Sequence, residues 1–428
     1  MSHQLLTPIQ RVHLRFKIAE GFSPSAPINQ WELFAGRMPQ VKAISQAIGV
    51  RGRHAILYGE RGVGKTSLVT VLKDIFSSME KGGSGKKIAK VNCDPGDTFH
   101  NVWKKMFAKI ELIVEGDSSP PKVLQVSDLM PPVDFGPGEA CNLCEQASFG
   151  GKGVVLIFDE FDCLPEEYRA MFAPTIKELS DNSVETTIVL VGVSRDVKQL
   201  IAEHASVDRC LVQIPMPVMS KDEVQEVINK VLEPLKMTIE PSAMSTIVTL
   251  SQGFPHYAHL LGQESAYVAV DSGRTRIAKD DVNVGIKSAI ENTRQTTRTD
   301  YQKASEGQRK GTLFPQVLLA CAVASVDDLG YFSSADVRDP LQQITGKAYD
   351  IPNYAQHLDK LSKDVTRGPI LDKLDLGARL RFRFRNPMLR PFIVMKGLVD
   401  GKLNGSLMEQ IHKTTHSVEE QPVRPSRK

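Results

Sequence analysis

The chain has 428 residues, of which 41% are apolar, and a formal net charge of +3 with a sequence pI near 8.4. A chain of this length is too long to fold around one ordinary hydrophobic core, which predicts two to four domains. The net charge is too small to indicate by itself that the protein binds a nucleic acid. No apolar run approaches the roughly 18 residues of a membrane span, and the N-terminus carries no secretory apolar region. We therefore expect a cytoplasmic protein with no membrane partner.

The first 29 residues carry Pro8, Pro24 and Pro27 and predict an N-terminal arm. From residue 30 to residue 217, buried apolar runs alternate with helical periodicities, which predicts an α/β core with a parallel sheet. Residues 114–152 interrupt this pattern with many Gly, Pro and Ser residues. We expect an insertion or mobile loop there.

The most specific motif follows the apolar run His54–Tyr58 and reads Gly59-Glu60-Arg61-Gly62-Val63-Gly64-Lys65-Thr66, with Ser67 next. It fits the phosphate-binding loop pattern G-x-x-x-x-G-K-[ST] at every fixed position. The glycines let backbone N–H groups turn toward phosphate, and the following helix N-terminus adds positive potential. We expect Lys65 to hold the β- and γ-phosphates of ATP and Thr66 to bind Mg²⁺. The alternative is a chance glycine-rich turn.

A second motif ends the apolar run Val154–Phe158, which has the composition of a central parallel strand covered on both faces. Asp159 follows it and is our candidate Mg²⁺ ligand. Glu160 is the candidate general base for the attacking water, whereas Asp162 is expected only to cap the next turn. The alternative is a strand that happens to end in two exposed acids.

The second half of the chain divides by composition. Residues 218–295 predict a small helical domain, whose first helix has Ser220 as N-cap and Glu223 completing a capping box. Residues 296–312 predict a helix end and a linker, and residues 403–428 predict a polar tail that is disordered from Thr414 onward. Between them, residues 313–402 predict three helices and a strand pair, which suggests a winged-helix-like domain.

Six cysteines are scattered along the chain, and we expect them to be reduced thiols: Cys93, Cys141, Cys144, Cys163, Cys210 and Cys321. Cys141 and Cys144 form a lone C-x-x-C pair without nearby histidines. An incidental pair is favoured over a metal site.

Together these motifs resemble the AAA+ P-loop ATPases, and within them the origin-recognition-type initiator ATPases and the related STAND-like ATPases of archaea and bacteria. The resemblance covers roughly residues 30–290 and implies that the helical domain is a nucleotide lid. Phe34-Ala35-Gly36-Arg37 resembles the F-x-G-R-[DE] box of this family, which implies that Phe34 and Arg37 border the adenine. Met38 departs from the pattern, because an acid is usual there.

The resemblance assigns three further residues. Ser194, at the end of a buried strand, takes the place of a polar γ-phosphate sensor, with capping of the next helix as the alternative. Arg209 takes the place of an arginine finger for a neighbouring subunit's site, with an ion pair to Asp208 as the alternative. His256, in Gly253-Phe254-Pro255-His256-Tyr257, stands where the lid usually carries an arginine sensor. A neutral histidine has no permanent charge, which predicts slow hydrolysis; the alternative is a structural role.

Strict alternation marks the stretch from Arg379 to Arg385, in which Arg379, Arg381, Arg383 and Arg385 share one strand face. This face could contact the phosphates of duplex DNA. It could equally be a solvated face paired with Asp372 and Asp375, or a contact for an acidic protein.

The sequence thus predicts an ATP hydrolase that uses Mg²⁺ and acts as a conformational or assembly switch, forming a homo-oligomer or pairing with a partner ATPase through Arg209. Association with DNA is the first expectation. The alternative is a signalling or defence ATPase of the STAND type acting through an unidentified protein partner.

Overall fold

The computed structural model describes residues 5–24, 34–81, 86–116, 119–132, 135–148, 153–194, 201, 207–306, 312–327, 330–375 and 380–416. The chain divides into two compact units. One comprises residues 27–217, here called the nucleotide unit. The other combines residues 1–26 with residues 218–428, here called the helical unit, and begins with α1 (Pro8–Gly21).

The nucleotide unit is built on a parallel sheet of five described strands in the order β2-β5-β6-β1-β7. Its elements in chain order are α2 (Met38–Gly49), β1 (His54–Gly59), α3 (Lys65–Lys81), β2 (Lys87–Asn92), α4 (Phe99–Phe107), β3 (Glu111–Gly116), β4 (Ser119–Gln125), α5 (Pro137–Ala147), β5 (Val154–Asp159), α6 (Glu166–Ala170), α7 (Phe172–Asp181), β6 (Thr186–Val193) and β7 (Leu211–Pro215). β6 separates the strand that enters the phosphate-binding loop from the strand that ends in Asp159. The carboxyl ends of all three therefore meet at one edge of the sheet.

The sheet forms because its central strands are apolar along their whole length. Every residue of β5 is buried, as is all of β6 except its last residue, and this suits strands covered by helices on both faces. One side of the sheet carries an aromatic cluster in which Trp103 of α4 and Phe172 of α7 stack, with Phe158 of β5 edge-on to both. The predicted α/β fold with a parallel sheet is confirmed.

His54 is a buried polar residue that ties three elements of this unit together. Its Nδ1 accepts a hydrogen bond from the Ile188 N–H of β6 (2.9 Å), so that the proton lies on Nε2. Nε2 in turn faces the Ser180 hydroxyl of α7 at 3.2 Å, and that hydroxyl donates to the Gly52 carbonyl. Burial lowers the pKa of His54 to about 3, because the charged form cannot be solvated there.

The interval 114–152, which we expected to be an insertion or a mobile loop, contains regular structure in its described residues. β4 pairs antiparallel with β3, and α5 buries Ala140, Cys141, Leu143, Cys144 and Ala147. The sequence signal for α5 was present in Pro137 at its first turn and in small apolar residues at helical spacing. The glycines and prolines on both sides of this helix led us to predict a loop instead.

The helical unit contains two successive groups of helices. The first is α8 (Lys221–Leu232), α9 (Pro241–Ser251), α10 (Pro255–Asp271), α11 (Lys279–Asn292) and α12 (Gln295–Ser305), with a two-stranded pairing of β8 (Thr238–Ile239) and β9 (Arg276–Ile277). The second is α13 (Phe314–Val323), β10 (Phe332–Ser333), α14 (Ser334–Thr345), α15 (Ile351–Lys363), β11 (Leu371–Asp375), β12 (Leu380–Phe384), α16 (Leu389–Val399) and α17 (Gly405–His416). Its strands form an antiparallel sheet in the order β10-β12-β11. Three helices and a strand pair thus occur where the sequence predicted them.

The three segments that the sequence predicted to be an arm, a linker and a polar tail carry helices. α1 lies in the expected arm and begins with a Thr7–Gln10 capping box. α12 occupies most of the expected linker and buries Thr297 and Ala304. α17 lies in the expected tail and buries Leu407 and Ile411, one helical turn apart. These helices are mostly polar, so the sequence pattern did not predict them. The few residues that each helix buries are enough to pack it on a neighbouring core.

Acid should destabilise the nucleotide unit through His54. Its pKa is depressed in the folded state, so its contribution is complete above the unfolded pKa of about 6.5 and is lost as pH falls from there toward 3. At pH 5 the loss should be about 2 kcal/mol. Denaturant unfolding of wild type and His54→Gln from pH 8 to pH 4 measures this. The exposed His13→Gln variant is the control, and equal pH slopes in all three proteins would contradict the assignment.

Candidate functional site

The phosphate-binding loop turns between β1 and α3 through two glycines in left-handed conformations, Gly62 (φ 86°) and Gly64 (φ 96°). Only glycine adopts these angles without strain. Gly59 is required for a different reason, since a Cβ there would lie 2.2 Å from the Met216 carbonyl oxygen. The loop is thus held tightly against the end of β7.

Lys65, the first residue of α3, folds back over this loop. Its Nζ donates to the Gly59 carbonyl (3.0 Å) and to the Glu60 carbonyl (2.7 Å). Burial lowers the pKa of Lys65 to about 8, and the nearby carboxylates of Asp162 and Asp159 oppose that shift. The amine is therefore charged at neutral pH and placed where the loop would receive phosphate.

Asp159 closes β5 and is the most buried acid near the loop, with 2% of its surface exposed. Its Oδ1 lies 3.4 Å from the Thr66 hydroxyl and accepts the Glu160 N–H at 3.0 Å. Its Oδ2 lies 2.9 Å from Nζ of Lys90 on the adjacent strand β2. The structure thus brings Lys65, Thr66 and Asp159 together, as predicted, and adds Lys90, which sequence reasoning missed.

Glu160 is exposed and adopts a left-handed conformation (φ 55°). Such a conformation costs a non-glycine residue of the order of 1 kcal/mol and persists only when its surroundings impose it. Here the Asp159 carboxylate holds the Glu160 N–H. The turn places the Glu160 carboxylate in solvent directly beside the metal-ligand candidate.

Ser194 lies at the carboxyl end of β6, between the ends of β1 and β5, and is buried. One residue earlier, the Val193 N–H donates to the Asp162 carboxylate at 2.7 Å. Asp162 therefore pins the end of β6 beside β5, rather than only capping its own turn as we expected. This contact fixes the position from which Ser194 emerges.

Arg37 is almost completely buried (1% exposed) and has a left-handed backbone (φ 64°). Its guanidinium donates to the Val63 carbonyl of the loop (3.2 Å) and to the Pro217 carbonyl (2.8 Å). Phe34 is buried close by in sequence. The structure therefore shows Arg37 bracing the phosphate-binding loop against the last residue of the unit.

Comparison with known proteins identifies the family. The model of the family described as "Novel STAND NTPase 1" matches residues 27–309, more than half of the chain. The chain belongs to this family. It is a P-loop NTPase of the AAA+/STAND kind, as the motifs predicted.

Similar solved structures include Cdc6p from Pyrobaculum aerophilum, which has 15% identity over 90% of this chain and 98% of that chain, with a TM-score of 0.45. The ORC1 protein of Aeropyrum pernix in complex with DNA has 15% identity over 91% and 98%, with a TM-score of 0.46. The Walker-type ATPase PABY2304 of Pyrococcus abyssi has 14% identity over 86% and 98%, with a TM-score of 0.48. No curated protein matches the chain.

Two candidate residues of this STAND NTPase have partners within their own units. Arg209 has an exposed side chain that pairs with Asp181 of α7, and not with the neighbouring Asp208 that we had considered. His256, at the start of α10, donates from Nδ1 to the Pro24 carbonyl at 2.6 Å. Burial lowers the pKa of His256, so the ring is neutral at physiological pH.

The described arginines of β12, and Arg385 directly after it, also have acidic partners. Arg381 pairs with Asp327, whereas Arg383 and Arg385 share Asp372, each at 3.1 Å. Arg379 lies outside the described residues. Arg390, a further basic residue close to this stretch, is half-buried and donates to the Ala322 and Ala324 carbonyls.

The six cysteines are free thiols. Cys141 and Cys144 are both buried in α5, and burial raises the pKa of each thiol, that of Cys141 to about 12. Across the described parts of the chain, no cluster of three or more His, Cys, Asp or Glu side chains could hold a metal ion. Every described helix is too short or too polar to cross a bilayer.

Gly59→Ala should destabilise the protein by about 1–3 kcal/mol, because its Cβ cannot fit against the Met216 carbonyl, and should weaken nucleotide binding. Gly49→Ala is the matched control, since nothing lies within 4 Å of its Cβ position. Urea unfolding and nucleotide titration of both variants provide the test. A Gly59→Ala protein as stable as Gly49→Ala would contradict the close approach.

Proposed function

We propose that the protein binds ATP with Mg²⁺ and hydrolyses it slowly, as a switch for conformational change or assembly. The observation that carries this proposal is the convergence of Thr66 and Asp159, whose oxygens lie 3.4 Å apart at the head of α3. They lie beside a loop whose two left-handed glycines allow backbone N–H groups to turn toward a phosphate. This is the arrangement that phosphoryl transfer requires.

The donor set suits Mg²⁺. A hydroxyl and a carboxylate are hard oxygen ligands, and few protein ligands are needed where phosphate oxygens and water complete the octahedron. When bound, Mg²⁺ would neutralise charge on the β- and γ-phosphates. Thr66 and Asp159 would hold it, and Lys65 would bind the same phosphates.

Glu160 is proposed to orient and deprotonate the attacking water, and Ser194 to contact the γ-phosphate from the end of β6. Arg209 is proposed to act as a finger in a neighbouring subunit, because its exposed side chain needs only to leave a solvent-screened pair with Asp181. Slow turnover is supported by His256, which is neutral and already donates to Pro24.

The switch is proposed to act on a protein partner or on further copies of the chain. Arg381, Arg383 and Arg385 each already contact a carboxylate, which lowers the gain from binding phosphate. Association with duplex DNA is the second candidate. It is supported by the sharing of one carboxylate, Asp372, between Arg383 and Arg385, which leaves net positive charge on that face.

Glu160→Gln should retain ATP binding and lower turnover by about 100-fold or more. ATP should then drive its assembly, visible in sedimentation. Glu166→Gln makes the same chemical change at an exposed position of α6 and should behave as wild type. Unchanged turnover in Glu160→Gln would refute the base assignment, and a wild-type turnover of tens per second would refute slow hydrolysis.

The DNA candidate is tested by duplex affinity measured across salt concentrations. If the β12 face contacts phosphates, each of Arg383→Glu and Arg385→Glu should reduce the slope of log affinity against log salt by about one or more. Asp372→Asn should raise affinity by freeing both arginines. If the wild-type protein binds no duplex in any nucleotide state, the DNA candidate is refuted and the protein-partner candidate is retained.

A further inference from the structure

Lys90 forms an ion pair with Asp159, the candidate metal ligand. Its Nζ lies 2.9 Å from Oδ2 of Asp159, and the two side chains are 15% and 2% exposed. A buried carboxylate without a partner is costly. Lys90 therefore neutralises Asp159 when no metal is bound.

The strand register explains the contact. Lys90 of β2 is aligned with Ile157 of β5, and side chains two residues apart on a strand share a face. Lys90, Ile157 and Asp159 thus lie on one face of the sheet. The long lysine stem spans the two-residue offset between Lys90 and Asp159.

Orientation of Asp159 does not need Lys90. The other carboxylate oxygen, Oδ1, already accepts the Glu160 N–H and faces Thr66. What Lys90 adds is charge. An ammonium group in contact with a metal ligand cancels part of the ligand's attraction for a divalent cation and repels that cation directly.

We propose that Lys90 is a built-in counterion that lowers the affinity of the site for Mg²⁺, so that the metal is retained only with the phosphates of a bound nucleotide. This rests on the proposed nucleotide site. The flexible stem allows the ammonium to withdraw from Asp159 when phosphate charge draws in the metal. Nucleotide binding and metal binding are thereby coupled.

The test is Mn²⁺ binding, measured by electron paramagnetic resonance without nucleotide. Lys90→Met should lower the Mn²⁺ concentration for half-saturation by about tenfold, since one opposing charge is removed. Lys90→Gln, which keeps a hydrogen-bond donor without charge, should do the same, and Lys90→Arg should match wild type. Lys87→Met is the control, because Lys87 lies on the other face of β2 and donates to the Glu111 carbonyl.

Thermal unfolding in EDTA gives an independent readout. Lys90→Met should unfold at a lower temperature than wild type, and Mn²⁺ without nucleotide should restore it, whereas wild type should respond little. Unchanged or weaker Mn²⁺ binding in both Lys90→Met and Lys90→Gln would overturn the proposal. Failure of the nucleotide site itself is distinguishable, because a fluorescent ADP would then bind none of the proteins at any metal concentration.

Discussion

The buried charge of Asp159 is the constraint on which the nucleotide unit depends. A carboxylate that is 2% exposed must be compensated, and three elements contribute to that compensation: the head of α3 through Thr66, the following turn through the Glu160 N–H, and β2 through Lys90. The strained backbone of Glu160 is a consequence of this arrangement. The same carboxylate is the candidate metal ligand, so a substitution of Asp159 would affect both the stability of the unit and metal binding.

Arg37 and Gly59 hold the phosphate-binding loop against the chain that follows β7. Arg37 joins the Val63 carbonyl in the loop to the Pro217 carbonyl at the end of the unit, and Gly59 lies against the Met216 backbone. A buried guanidinium that serves two carbonyls is difficult to replace, because lysine lacks its fork of donors. A movement of the loop on nucleotide binding would therefore displace the backbone at residues 216–217, where the nucleotide unit ends.

The parts of the fold that were predictable are those fixed by local pattern. The run Val154–Phe158 and the glycines of the phosphate-binding loop determine their own conformations, and Lys65, Thr66, Asp159 and Glu160 followed from them. Lys90 was not predictable, because its partner is set by the register of two strands whose aligned residues, such as Lys90 and Ile157, are 67 residues apart along the chain. The contacts of Arg37 and Asp162 were not predictable for the same reason: they are with backbone groups that only the folded chain brings near. The helices α1, α12 and α17 were missed because a few buried apolar residues outweighed their polar composition.

The phosphate-binding loop and the Asp159 turn are proposed to form one nucleotide-binding site. Equilibrium binding of a fluorescent ATP analogue to wild type and to Lys65→Ala, each with Mg²⁺ and with EDTA, tests it most directly. The account predicts saturable binding to wild type that Mg²⁺ strengthens and that Lys65→Ala loses in both conditions. Equal binding by the two proteins, or none by wild type, would contradict it.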